Sequence, residues 1–107
     1  MTISTHILDA ALGCPAAGVA VRLEDATGLA LGEAVTDDDG RVADLAPGPL
    51  DVGDYRLRFD TGGYFSAAGR DAFYPEVVVA FTIADAAQHY HVPLLLSPFA
   101  YSTYRGS

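Results

Sequence analysis

The chain has 107 residues, half of them hydrophobic and 19% charged, which fits one globular domain around a single thin core. Fourteen acidic residues outnumber six basic ones, all arginine, and the net charge of −8 argues against nucleic acid or an anionic membrane as partner. No stretch is apolar enough to span a bilayer and the first residues lack the basic and apolar regions of a signal peptide, so the cytoplasm is the expected compartment.

In chain order, the pattern is dominated by a period of two. A first strand over 3–9 carries His6 on the face of Ser4 and Leu8. Gly13-Cys14-Pro15 reads as a turn and holds the only cysteine, so no intrachain disulfide is possible. Strands follow over 18–25, where Val19, Val21 and Leu23 alternate with Ala20, Arg22 and Glu24, and over 29–36. Asp37-Asp38-Asp39-Gly40 is a tight turn into a short strand over 40–44 that opens on Arg41. After Pro47-Gly48-Pro49, a strand over 53–60 sets Tyr55, Leu57 and Phe59 against Arg56, Arg58 and Asp60. Residues 63–70 break the pattern and read as a short helix with Thr61 as N-cap. Strands over 75–83, 88–97 and 99–105 complete the chain. Eight short strands separated by turn signals predict an all-β, antiparallel β-sandwich with one short helix, in a single domain over 1–107.

The last segment, from His89 to Ser107, is aromatic and apolar and contains no Asp, Glu or Lys, yet holds two of the three histidines. It requires burial in the fold or against another subunit. His89 and His91 share a strand face at about 6.6 Å, two residues at roughly 3.3 Å each. With His6 they offer two readings: a three-histidine zinc site, or hydrogen-bonded, half-buried strand residues. No carboxylate nearby in sequence orients the rings, as a metal site usually requires. Arg22, Arg56 and Arg58 read as solvated charges beside acidic neighbours, and Arg70 as a surface or helix-end charge. Arg41, at a strand start just after a turn, is a rigid perch for a planar anion-binding fork. Arg105 sits among aromatic residues and needs a carbonyl, a carboxylate or a ligand. There is no Gly-rich phosphate loop and no Gly-x-Ser-x-Gly elbow, and Cys14 has no basic neighbour to activate it.

Several ordered blocks resemble the 5-hydroxyisourate hydrolases, the transthyretin-like proteins of urate degradation. They are Thr5-His6-Ile7-Leu8-Asp9 followed by Gly13, Pro15 and Ala16, then Thr36-Asp37, Asp39-Gly40-Arg41, Gly53-Asp54-Tyr55-Arg56 and Phe73-Tyr74-Pro75-Glu76. His89-Tyr90-His91-Val92-Pro93-Leu94-Leu95 and the terminal Tyr104-Arg105-Gly106-Ser107 complete the set. The resemblance spans essentially the whole chain. It implies a transthyretin-like sandwich of eight strands and a homotetramer, a dimer of dimers with active sites at the dimer–dimer interface. It also implies metal-independent, cofactor-free hydrolysis of 5-hydroxyisourate to 2-oxo-4-hydroxy-4-carboxy-5-ureidoimidazoline. Carried over by position, His6, Arg41, His91 and Ser107 are the catalytic set, and Tyr104, Arg105 and Gly106 bind substrate. His91 or His6 is the general base, Arg41 the charge stabiliser; His89 is not assigned to catalysis. The rival class within the same fold is a non-catalytic carrier, whose members lack the terminal tetrapeptide and the His and Arg positions.

Overall fold

Alternating side chains fold into nine strands and one helix in the computed structural model, which describes all residues 1–107. The elements are β1 (Ile3–Asp9), β2 (Cys14–Pro15), β3 (Ala20–Asp25), β4 (Ala30–Val35), β5 (Arg41–Val42), β6 (Gly53–Phe59), α1 (Thr61–Ala67), β7 (Val77–Ile83), β8 (Tyr90–Ser97) and β9 (Ala100–Thr103). One sheet runs β2-β1-β8-β9, with β5 beside β2 on the same edge of β1; the other runs β4-β3-β6-β7. The alternating residues Ile3 and Ile7, Val21 and Leu23, Leu57 and Phe59, and Leu94 and Leu96 point inward and form the core between the sheets, closed by Phe65 of α1. No helix is long and apolar enough to cross a membrane.

The sandwich departs from the expected one in four ways. First, β1 and β8 run parallel, in register from Ile3–Tyr90 to Asp9–Leu96; every other pair is antiparallel. Alternation reports which face is buried but not the direction of the neighbour. Second, Cys14 and Pro15 form a two-residue ladder with Asp9 and Leu8 rather than a turn. Third, the strand expected over 40–44 stops at Val42, because the Asp44 carboxylate turns back to accept from the backbone N–H groups of Ile3 and Ala46. Fourth, the helix starts at Thr61 with Asp60 as N-cap, whose Oδ1 accepts from the Gly63 N–H at 3.0 Å. Thr61 lies inside the first turn, its hydroxyl buried without a partner.

Three arginines are not the plain surface charges expected. Arg58 donates to the buried Glu24 at 3.0 Å and to Glu76 at 2.5 Å, and Arg22 meets the same Glu24 oxygen at 2.8 Å. Hydrogen bonding from Arg58 outweighs burial and holds the Glu24 carboxyl below the ordinary glutamate range. Arg70 reaches from beyond α1 to Asp9, which is fully buried at the end of β1, and pairs with it at 2.6 Å. The Tyr64 hydroxyl donates to the same carboxylate at 2.8 Å and the Leu12 N–H at 3.1 Å. Burial pushes the Asp9 carboxyl up, but these donors together hold it below the usual range, while burial and Asp9 push the Tyr64 hydroxyl up to about 12. This network ties α1 to the first sheet. Asp9→Ala leaves Arg70 and Tyr64 without their acceptor and should cost about 3 kcal/mol, read as a lower urea midpoint at unchanged slope. Because the Asp9 pKa is lowered by folding, its contribution is present above the unfolded value of 3.8 and is lost as pH falls below it.

Candidate active site

Three neighbouring strands, β5, β1 and β8, bring the expected residues onto the outer face of the first sheet. His6 stands opposite Arg41 across the β1–β5 ladder and opposite Pro93 across the β1–β8 ladder. Two residues earlier on the same face, Ser4 stands opposite His91.

Arg41 is placed by its turn. Asp37 Oδ1 accepts from the N–H groups of Asp39 and Arg41, both at 2.9 Å, and the Asp37 carbonyl accepts from Gly40 at 2.9 Å. Gly40 has φ +73°, and its carbonyl accepts from the Ile7 N–H at 2.8 Å, pinning the turn to β1. A Cβ at Gly40 would lie 2.4 Å from the Ile7 carbonyl oxygen, so the perch tolerates only glycine. The Arg41 guanidinium forms no ion pair.

His91 is half-buried. Its Nδ1 lies 2.7 Å from the Ser4 hydroxyl, while Nε2 makes no hydrogen bond within the chain. Burial, then the nearby His89, Arg41 and His6, lower its pKa below 6.5. The ring is therefore neutral, and able to accept a proton, at neutral pH. The chain end closes over it: the Gly106 N–H donates to the His91 carbonyl at 2.8 Å, in an isolated antiparallel bridge. A Cβ at Gly106 would stand 2.3 Å from His91 Cδ2, so the imidazole occupies the space a side chain would need.

The remaining terminal residues are placed differently. Tyr104 and Ser107 are exposed on the single chain. Arg105 donates to the Gln88 side-chain oxygen at 3.0 Å and lies 4.7 Å over the Tyr90 ring, so its charge is met by an amide and an aromatic face. His89 is exposed, its ring stacked near-parallel on His91 at 6.3 Å between centroids. Its Nε2 is 3.1 Å from the Ser4 hydroxyl, and its Nδ1 contacts the Thr2 hydroxyl. No group of three His, Cys, Asp or Glu side chains is arranged to hold a metal ion, and a hydroxyl rather than a carboxylate orients the two histidines. Ser4 and Thr2 carried no distinguishing signal in the sequence: a small polar residue on a strand face is ordinary, and only the parallel β1–β8 register sets Ser4 beside His91.

The model of the HIUase/Transthyretin family matches residues 3–106. A 5-hydroxyisourate hydrolase of Salmonella dublin is 50% identical over 109 residues, covering 98% of this chain and 80% of that protein. The solved structure of a Klebsiella pneumoniae 5-hydroxyisourate hydrolase is 43% identical, covers 100% of both chains and has a TM-score of 0.92. Sea bream transthyretin in complex with thyroxine is 33% identical, covers 99% of this chain and 95% of its own, and has a TM-score of 0.90.

Proposed function

This chain belongs to the HIUase/Transthyretin family, and from that premise we propose that His91, Arg41, His6 and the chain end hydrolyse 5-hydroxyisourate. The chain is an enzyme of urate degradation, a cyclic amide hydrolase, as its relatives are. The substrate is an oxidised purine with an electron-poor ring carbonyl. Opening it requires an activated water, a stabiliser for the developing oxyanion and a proton for the departing ring nitrogen.

His91 takes the base role. The observation that carries this is a half-buried imidazole with one nitrogen bonded to Ser4 and the other free, beside an arginine with no carboxylate partner; burial favours its neutral form. Nε2 removes a water proton as the oxygen attacks the carbonyl carbon. Arg41 holds the substrate oxygens and the charge that builds on them. His6, across the ladder from Arg41, delivers a proton to the nitrogen as the C–N bond breaks. Tyr104 and Ser107 orient substrate or water, Arg105 supports the segment, and Gly106 gives His91 its space. No metal takes part, so hydrolysis should survive EDTA. The sea bream neighbour binds thyroxine; a carrier role is disfavoured here because this face presents the two histidines and the free guanidinium.

The same reading gives one domain over 1–107 assembled as a homotetramer. It is supported by the exposed apolar side chains Phe73, Leu95, Phe99 and Tyr104 and by β9, whose outer edge is unpaired. Light scattering behind size exclusion should give four times the 11.2 kDa chain mass. The decisive assay adds the protein to urate and uricase and follows decay of the transient ultraviolet absorbance. Decay faster than the spontaneous rate is expected, and no acceleration would refute the function. His6→Ala and Arg41→Ala should each slow it by about 100-fold or more.

A further inference from the structure

The Ser4 hydroxyl lies between two imidazoles, 2.7 Å from His91 Nδ1 and 3.1 Å from His89 Nε2. A hydroxyl has a single proton and two acceptor sites, so it donates to at most one of the rings. Both rings can donate to it, which puts the His91 proton on Nδ1, or the bonds run in one direction through the three groups in either of two ways. In one, His91 Nδ1–H donates to Ser4, the Ser4 O–H donates to His89 Nε2, and His89 Nδ1–H donates to the Thr2 hydroxyl. In the other every donor is reversed, and the His91 proton sits on Nε2. The first leaves His91 Nε2 with a free lone pair; the second leaves it protonated and unable to act as a base.

We propose that Ser4 and His89 are positioning residues that set the tautomer of His91, keeping its proton on Nδ1 and Nε2 free to accept. The inference rests on His91 being the general base. Ser4 is nearly buried and bonded on both sides, so its hydroxyl is held rather than free to rotate. In the first arrangement His89 Nε2 accepts the Ser4 proton, and Thr2 holds its far nitrogen. The near-parallel stacking of the rings keeps both on one face. The charged and titratable groups facing His91 are Arg41, His6 and His89, all cationic or neutral, so no carboxylate competes with Ser4 for Nδ1.

The test is made on the full chain labelled with 15N-histidine. Long-range proton–nitrogen spectra at a pH where His91 is neutral report its tautomer, expected as Nδ1–H. Ser4→Ala should move the population towards Nε2–H, the form a free imidazole prefers, and lower kcat by about 10- to 100-fold with KM little changed. Ser4→Thr keeps the hydroxyl and should restore both, which separates lost positioning from lost folding. His89→Gln, whose amide can still accept from Ser4, should lie between wild type and Ser4→Ala. An unchanged His91 tautomer in Ser4→Ala overturns the proposal whatever the rate. A shifted tautomer with unchanged kcat upholds the positioning role and counts instead against His91 as the base.

Discussion

Replacing His91 with Asn should lower kcat by about 100- to 10,000-fold while leaving the fold intact. The asparagine side chain ends near the Nδ1 position, so it can still meet the Ser4 hydroxyl that His91 now meets at 2.7 Å. What it lacks is the second nitrogen, the one assigned to the water. The substrate contacts proposed for Arg41 and the chain end are untouched, so KM should change far less than kcat. The wild-type pH profile offers an independent check. Burial and the neighbouring His89, Arg41 and His6 lower the His91 pKa in the fold, so the acid limb of kcat/KM should fall below 6.5, with activity lost as pH drops through it. The sign for stability follows from linkage. The unfolded chain binds this proton at a higher pH than the folded one, so the group costs nothing above 6.5 and subtracts stability as pH falls below it. His91→Asn removes both effects. Near-normal hydrolysis by this variant, measured with freshly made substrate, would sink the assignment of His91 as base.

The strands were legible because a half-buried sheet writes burial as alternation, and Val21, Leu23, Leu57 and Phe59 follow it without a break. The Asp39-Gly40-Arg41 perch was equally legible, since an Asp and a Gly at those positions are what such a turn needs. Contacts between residues far apart in the chain were not. Asp9 and Arg70 are separated by 61 positions, and nothing local to either distinguishes a buried pair from two surface charges. The same holds for Glu24 and Arg58. At the site, the residue types of His6, Arg41 and His91 suggested chemistry, but their meeting depends on β1 pairing with β5 on one side and, in parallel, with β8 on the other. Two antiparallel pairings would have set different residues beside His91. Ser4 was therefore invisible as the partner of both histidines until the register was known.

Deleting Tyr104–Ser107 should impair hydrolysis far more than it impairs folding. The β8–β9 hairpin is held by the pairs from Leu94–Thr103 to Ser97–Ala100, all of which lie outside the deleted segment. The core residues Leu94 and Leu96 keep their places, and the deletion removes one backbone bridge, Gly106 to His91, and the contacts of Arg105 with Gln88 and Tyr90. Those are surface interactions worth about 1 kcal/mol each at most, so the melting temperature should fall by only a few degrees. The loss to the site is larger. His91 loses the chain that covers it, its ring gains room to turn away from Ser4, and the proposed contacts of Tyr104 and Ser107 with substrate or water go with it. A displacement of about 1 Å in a catalytic group is enough for a loss near 100-fold, and the missing contacts add to it. Gly106→Ala makes the same point with a single methyl group. Its Cβ would sit 2.3 Å from His91 Cδ2 and 3.1 Å from Cγ, so either the imidazole or the chain end must move. Both atoms belong to the ring proposed as the base rather than to a flexible tip. The variant should therefore fold and assemble as the wild type does, bind substrate with similar KM and lose most of its kcat. Parallel loss of melting temperature and rate in either variant would show instead that the tail serves only to hold the sandwich together.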